Sequence, residues 1–188
     1  TFDRFAHGFH TNNREEPTIS VSSMSPRATS TTAALSLQCV VPARCTLPLP
    51  PNVDFPAGAL TEPLACAVRA VSELTSVSAG DLVAIVGPGT IGLLCLQVVK
   101  AEGEIAIVCG LSRDEKRLEM AQNLGADYVI NVEKEDAIEK VWALLEGYGS
   151  NIVLECSVAA AGVALALELV CTQGKYTRGR AIWSPHPG

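Results

Sequence analysis

The sequence predicts an α/β fold, a parallel sheet with helices on both faces, and three observations carry that expectation. From Asp81 onward short β-branched runs alternate with longer amphipathic ones, the pattern of strands joined by crossover helices. Directly behind the first of those runs stands a glycine-rich turn, Gly87-Pro88-Gly89-Thr90-Ile91-Gly92, that leads straight into an amphipathic segment. Apolar residues make up 48% of the chain and charged residues 18%, a balance that sustains a packed core. At 188 residues one core is expected, with room for a poorly structured segment but not for a second full domain.

Residues 1–37 differ in kind from the rest, being rich in Ser, Thr and Asn without helical or strand periodicity, and are expected to be poorly structured or non-homologous. Residues 38–60, with the prolines of LPLPPNVDFP, suit an extended connector. The folded domain is expected over 61–178, with an irregular tail at 179–188. Its first helix is predicted from Thr61 to Leu74, because Leu60, Leu64, Ala67 or Val68, and Val71 fall at helical intervals. Leu82 to Val86 is the first strand, Thr90 to Glu102 the next helix, closed by Gly103, and Ile105 to Cys109 the second strand.

Ser112 and Glu115, at capping-box spacing, open a helix that ends at Gly125 and sets Leu118, Ala121 and Leu124 on one face. Tyr128 to Asn131 is a third strand, and Ile138, Val141 and Leu144 or Leu145 form the inward stripe of the helix behind it. Asn151 to Glu155 is a fourth strand and Ala159 to Val170 a further helix. Gly174 to Thr177 begins a fifth strand, after which RGRAIWSPHPG breaks the pattern, so the sheet is expected to be incomplete at its C-terminal end.

Several function classes fall away on composition. With 14 basic and 20 acidic residues the net charge is −6, and no basic stripe could track a nucleic acid. Leu82 to Val99 is an uncharged run near the length of a membrane span, but Gly87-Pro88-Gly89 in its middle would break such a helix, so no membrane is expected. The seven dispersed cysteines, with no CxxC pair and no zinc cluster, suit a reducing compartment. No signal peptide is evident at the amino terminus, and a cytoplasmic location is expected.

The glycine turn carries the chemistry. In a G-x-G-x-x-G run between strand and helix, Gly87 permits the tight turn, Gly89 admits a dinucleotide pyrophosphate to the backbone, and Gly92 lets helix and strand pack closely. The helix start that follows, from Thr90 and Ile91, supplies amides and a positive dipole end to the phosphates. This is the Rossmann-type arrangement, and Pro88 belongs to the same loop. A carboxylate that would hold the cofactor ribose is missing at the end of the second strand; Gly110, Ser112 and Arg113 stand there and favour a 2′-phosphate, so NAD(P) is expected with a lean to NADP. A solvated first-turn residue is the alternative reading of Arg113.

The runs PLPPNVDFPAGALTEPLACAVRAV, SAGDLVAIVGPGTIGLLCLQVVKA, SRDEKRLEMAQNLGADYVIN, NIVLECS and ALELVCTQGKYT together resemble the zinc-containing branch of the medium-chain dehydrogenase/reductase family, the group of sorbitol, threonine and related alcohol dehydrogenases. That resemblance implies reversible hydride transfer between a secondary alcohol or polyol and nicotinamide, with zinc in the full-length family member and a homo-oligomeric assembly. It implies that Glu155, Cys156 and Ser157 face the nicotinamide side and that Glu62, in the EP motif, lies near zinc; a helix-start carboxylate is the equally weighted alternative for Glu62.

Nothing in residues 1–38 matches the family's catalytic domain, and His7, His10, Glu15 and Glu16 lack its ligand pattern, so no catalytic residue is named. The chain is therefore expected to be a fragment, mainly the cofactor-binding domain, with foreign or out-of-frame sequence one account of its ends, and is not expected to oxidise alcohols by itself. The alternative function is an NAD(P)-binding module of a metal-free reductase-like or nucleotide-sensing protein.

Overall fold

The computed structural model describes residues 47–75, 80–144 and 147–178. The chain divides into two compact units between Ala65 and Cys66. In the first, Asp54 caps the short helix α1 (Phe55–Ala59) by accepting the Ala57 amide at 2.8 Å, and Pro56 stands in the first turn, where its missing N–H costs nothing. Helix α2 (Thr61–Val68) starts in this unit and ends in the second. The predicted helix from Thr61 to Leu74 is not one regular α-helix, because residues Arg69–Thr75 widen into a π-helical segment. Thr75 ends it, its hydroxyl donating back to the carbonyls of Ala70 and Val71 at 3.1 and 2.7 Å and so satisfying acceptors that a helix end leaves open.

The second unit is a five-stranded, all-parallel sheet in the order β3-β2-β1-β4-β5. Its strands are β1 (Leu82–Val86), β2 (Ile105–Gly110), β3 (Tyr128–Asn131), β4 (Ser150–Glu155) and β5 (Val170–Arg178). The connecting helices are α3 (Thr90–Glu102), α4 (Glu115–Asn123), α5 (Ala137–Leu144) and α6 (Ala160–Leu169). β1 occupies the centre and every residue of LVAIV is buried, which is why it reads as an unbroken apolar run with no alternation. Leu82, Ala84 and Val86 join Ile107, Cys109, Val153, Val141, Ala166 and Leu169 in a core on the α5–α6 face. Val83 and Ile85 point the other way, as strand geometry requires, and Ile85 lies under α3 at Gly92. Helices thus cover both faces. At the opposite edge of β1, the Ser150 hydroxyl donates to the Leu82 carbonyl at 2.8 Å and the Asn151 carboxamide accepts the Leu82 amide at 2.9 Å, fastening β4 beside β1.

Three expectations need correcting. β5 does not begin at Gly174 but at Val170, directly behind α6. Its register on β4 jumps from Ser150↔Val170 to Ile152↔Lys175, so the extra residues fold into a bulge against Gly174. A Cβ on Gly174 would stand 2.6 Å from Val170 and 2.9 Å from the Asn151 carbonyl. Leu144 is exposed rather than inward, since Ala137 and Val141 fill the buried stripe of α5; Leu145 lies outside the described residues. Ser112 is not the cap of α4. A 3₁₀ turn, Ser112–Asp114, intervenes, and the Asp114 carboxylate accepts the Leu111 amide instead, at 3.4 Å.

Candidate functional site

The carboxyl ends of β1, β2 and β4 open into a cleft of about 220 Å³. Open parallel sheets bind ligands at this edge, where neighbouring crossovers leave the sheet in opposite directions and a crevice forms between them. Here β1 is the branching strand, with β2 on one side and β4 on the other.

The first wall is the turn from β1 to α3. Gly87 has φ +104°, a left-handed conformation that side chains resist, and a Cβ there would stand 2.7 Å from the Ser157 backbone. Its amide donates to the Cys109 carbonyl at 2.8 Å, tying the turn to β2. Gly92 is buried, and a Cβ on it would lie 2.1 Å from the Gly87 carbonyl oxygen, so α3 can approach the loop only with glycine in that place. Gly89 is different: its φ of −74° and ψ of −176° suit any residue, and nothing lies within 4 Å of where its Cβ would be. No side chain caps α3 at this end. Gly87, Pro88 and Gly89 line the cleft, while Thr90 and Ile91 form the first turn of α3 beside it.

The second wall is the segment behind β4. Glu155 is 1% exposed, yet its carboxylate is well supplied with donors. One oxygen accepts the Ser157 amide at 2.8 Å, the Ser157 hydroxyl at 2.7 Å and the Val158 amide at 2.9 Å; the other accepts Nε of Arg178 at 3.2 Å. Glu155 therefore shapes the wall without lining it, and Cys156 and Ser157 form the surface. Val158 has φ +64°, the strained left-handed region for a β-branched residue. The Cys156 thiol is pushed well above its ordinary value, by its hydrogen bond with the Cys95 thiol first and by burial and neighbouring charge after that. It stays protonated at neutral pH and is no nucleophile. Gly162 lets α6 close on this segment, since a Cβ there would collide with the Ser157 hydroxyl at 1.9 Å.

The third wall is the turn behind β2. Gly110 packs beneath Pro88, where a Cβ would stand 2.9 Å from the proline ring, so its smallness serves packing. Arg113 lines the cleft and Arg117, one turn further along, lines it too, held by Asp114 at 3.0 Å. Arg117 was legible in principle, because residues four apart share a helix face. Ser112 does not line the cleft. Its amide donates to the Glu133 carboxylate at 2.7 Å, and the Asn131 carboxamide donates to its hydroxyl at 3.1 Å. Glu133 carries no local motif; only the pairing of β2 with β3 brings it here.

Glu62 is exposed in the first turn of α2. Among the described residues no group of three or more His, Cys, Asp or Glu could hold a metal ion, so the residues on view do not fit a zinc site. His7, His10, Glu15 and Glu16 lie outside the described residues. Among the described residues no helix is long and apolar enough to cross a membrane.

A doubly wound parallel sheet with a glycine turn at its branching strand defines an NAD(P)-binding fold. Residues 90–178 match the family model described as zinc-binding dehydrogenase. A sorbitol dehydrogenase from Halalkalibacterium halodurans is 44% identical over 130 residues, 69% of this chain and 38% of that protein. Among solved structures, an oxidoreductase of unknown specificity from Escherichia coli superposes with a TM-score of 0.69 at 33% identity, covering 84% of this chain and 44% of that one. A putative zinc-binding dehydrogenase from Sinorhizobium meliloti, bound to NADP, superposes with a TM-score of 0.67 at 29% identity over 74% of this chain and 41% of that one. The chain belongs to the zinc-type medium-chain dehydrogenase/reductase family, whose NAD(P)-binding region occupies about 70% of it. It spans about 38% of the length of the sorbitol dehydrogenase.

Proposed function

We propose that the cleft binds NAD(P), with the pyrophosphate against Gly87 to Gly92, as the cofactor site of a zinc-type alcohol or polyol dehydrogenase. The observation that carries this is Gly89. Folding makes no demand for glycine at a residue with ordinary dihedrals and open space where a side chain would be. A polyanion lying against the backbone makes that demand, and the uncapped amides of α3 are the groups to hold it. Cys156 and Ser157 form the wall on the nicotinamide side, kept in place by Glu155. Arg113 and Arg117 stand on the adenosine side, which with Gly110 leans the site toward NADP.

When bound, the nicotinamide supplies a hydride acceptor or donor. The reaction class in this reading is oxidation of a secondary alcohol or polyol, supported by the sorbitol dehydrogenase likeness, in a cytoplasmic homo-oligomer. The reading takes 61–178 as the dinucleotide-binding domain. Glu62 is its candidate ligand for zinc in the full-length family member.

The test is titration calorimetry of the chain with NAD and NADP. Gly89→Asp should abolish binding by setting a side chain and a negative charge against the pyrophosphate. Gly89→Ala serves as the stability control and should melt within about 0.5 kcal/mol of the parent. Unchanged affinity in Gly89→Asp would overturn the reading.

A further inference from the structure

The ends of β2 and β3 lie side by side, with Gly110 paired to Asn131 and the Val132 amide donating to the Gly110 carbonyl at 3.0 Å. Two residues past β3, Glu133 turns back across β2. Its carboxylate accepts the Ser112 amide at 2.7 Å, while its own amide donates to the Asn131 carboxamide oxygen at 3.1 Å. Asn131 meanwhile donates to the Ser112 hydroxyl at 3.1 Å, so one carboxamide orients both partners. The Ser112 hydroxyl and amide hold the Glu133 carboxyl below its ordinary value, with the charge of Arg113 adding to them, so it is ionised at neutral pH. Ser112 is off the cleft lining, but its neighbour Arg113 is on it, so an amide, a hydroxyl and a guanidinium, groups that recognise a phosphate monoester, stand together beside the cleft. The Glu133 carboxylate already occupies the Ser112 part of that set.

We propose that Glu133 sets the choice between the two cofactors, by holding with its own carboxylate the Ser112 groups that a 2′-phosphate would take. The inference rests on the dinucleotide reading above and adds a residue that reading does not contain. NAD offers only a hydroxyl at the 2′ position and leaves the Glu133–Ser112 contact undisturbed. NADP brings a group of about −1.5 to −2 charge beside a carboxylate, and either displaces it from Ser112 or binds against like-charge repulsion. Arg113 and Arg117 draw NADP in, and Glu133 opposes them. Because Glu133 is exposed on a turn, its side chain has room to swing aside, so the opposition weakens NADP without excluding it.

The decisive measurement is the pair of dissociation constants for NADP and NAD in the full chain and in Glu133→Gln. Glutamine keeps the shape and an acceptor for the Ser112 amide while removing the charge. NADP should tighten by about tenfold and NAD should stay within about twofold. Glu135→Gln, which removes an exposed carboxylate of the same turn that pairs with Lys140, is the control for bulk charge and should leave both constants unchanged. An NADP constant that does not move in Glu133→Gln, or moves equally with NAD or in Glu135→Gln, overturns the proposal while leaving the cofactor reading intact. Failure of both cofactors to bind the parent chain overturns the cofactor reading and this proposal with it.

Discussion

Two strand-to-helix turns meet in the cleft, and they solve one geometric problem by opposite means. The turn from β1 to α3 removes side chains: Gly87 takes φ +104°, Gly92 lets the helix close to the loop, and no side chain caps α3. The turn from β4 to α6 keeps a β-branched residue, Val158, at φ +64° and holds it by anchoring its amide, with that of Ser157, on the buried Glu155 carboxylate. The two lie against each other, with the Ser157 backbone where a Gly87 side chain would be. The glycine turn commits its Gly87 amide to Cys109 but leaves the first amides of α3 without a side-chain cap. A turn built on a carboxylate spends its amides internally and presents a wall. The same edge of one sheet thus carries an uncapped helix start on one side and a carboxylate-anchored wall on the other.

The largest effect expected from breaking this contrast is on the anchored turn. Glu155→Ala would leave the Ser157 and Val158 amides and the Arg178 guanidinium without their acceptor, and should cost about 3–4 kcal/mol. Urea unfolding would measure it; a loss below about 1 kcal/mol would mean that the carboxylate does not hold the turn. Glu155→Gln keeps one acceptor oxygen and should lose about half as much.

On the glycine side, Gly92→Ala sets a Cβ 2.1 Å from the Gly87 carbonyl oxygen, a contact with backbone that no rotamer relieves. It should cost about 2–3 kcal/mol, and α3 should shift away from the loop. A thermal melt superimposable on the parent's would show that the loop yields easily.

Val158→Gly acts in the opposite direction. The left-handed conformation costs a non-glycine residue about 1–2 kcal/mol, and glycine returns part of that to a more flexible unfolded chain, so a net gain of about 0.5–1 kcal/mol is expected. Equilibrium unfolding would register the gain, and a loss would show that the Val158 side chain, 47% exposed, makes contacts worth more than its strain.

Most of the scaffold was legible from residues alone because local rules and tertiary packing agree there. β1 could be read from five consecutive apolar residues, α3 from its glycine boundaries, and β3 between Gly125 and the turn behind Asn131. The glycine turn was legible for the same reason: its spacing is a local property, and Gly87 and Gly92 meet local demands of backbone angle and close approach. The exceptions have local causes too weak to read. The helical spacing of α6 carries through Val170, nothing local joins the residues after it to the strand at Gly174, and only the bulged register on β4 draws them into β5. Ser112 and Glu115 have capping-box spacing, but Asp114 competes for the same turn and takes the Leu111 amide.

The sequence by itself determined the fold class, the order of strands and helices and the glycine turn, since each depends on periodicity or on spacing within about thirty residues, and the resemblance of its runs pointed to the family. Tertiary structure alone decided what surrounds that turn. Glu133 stands 21 residues from Ser112 and Arg178 stands 23 from Glu155 along the chain, and neither distance carries a signal. They meet because a parallel sheet aligns the carboxyl ends of neighbouring strands, bringing together hydrogen-bonding groups whose contacts need close approach in space and leave no periodic trace in the sequence.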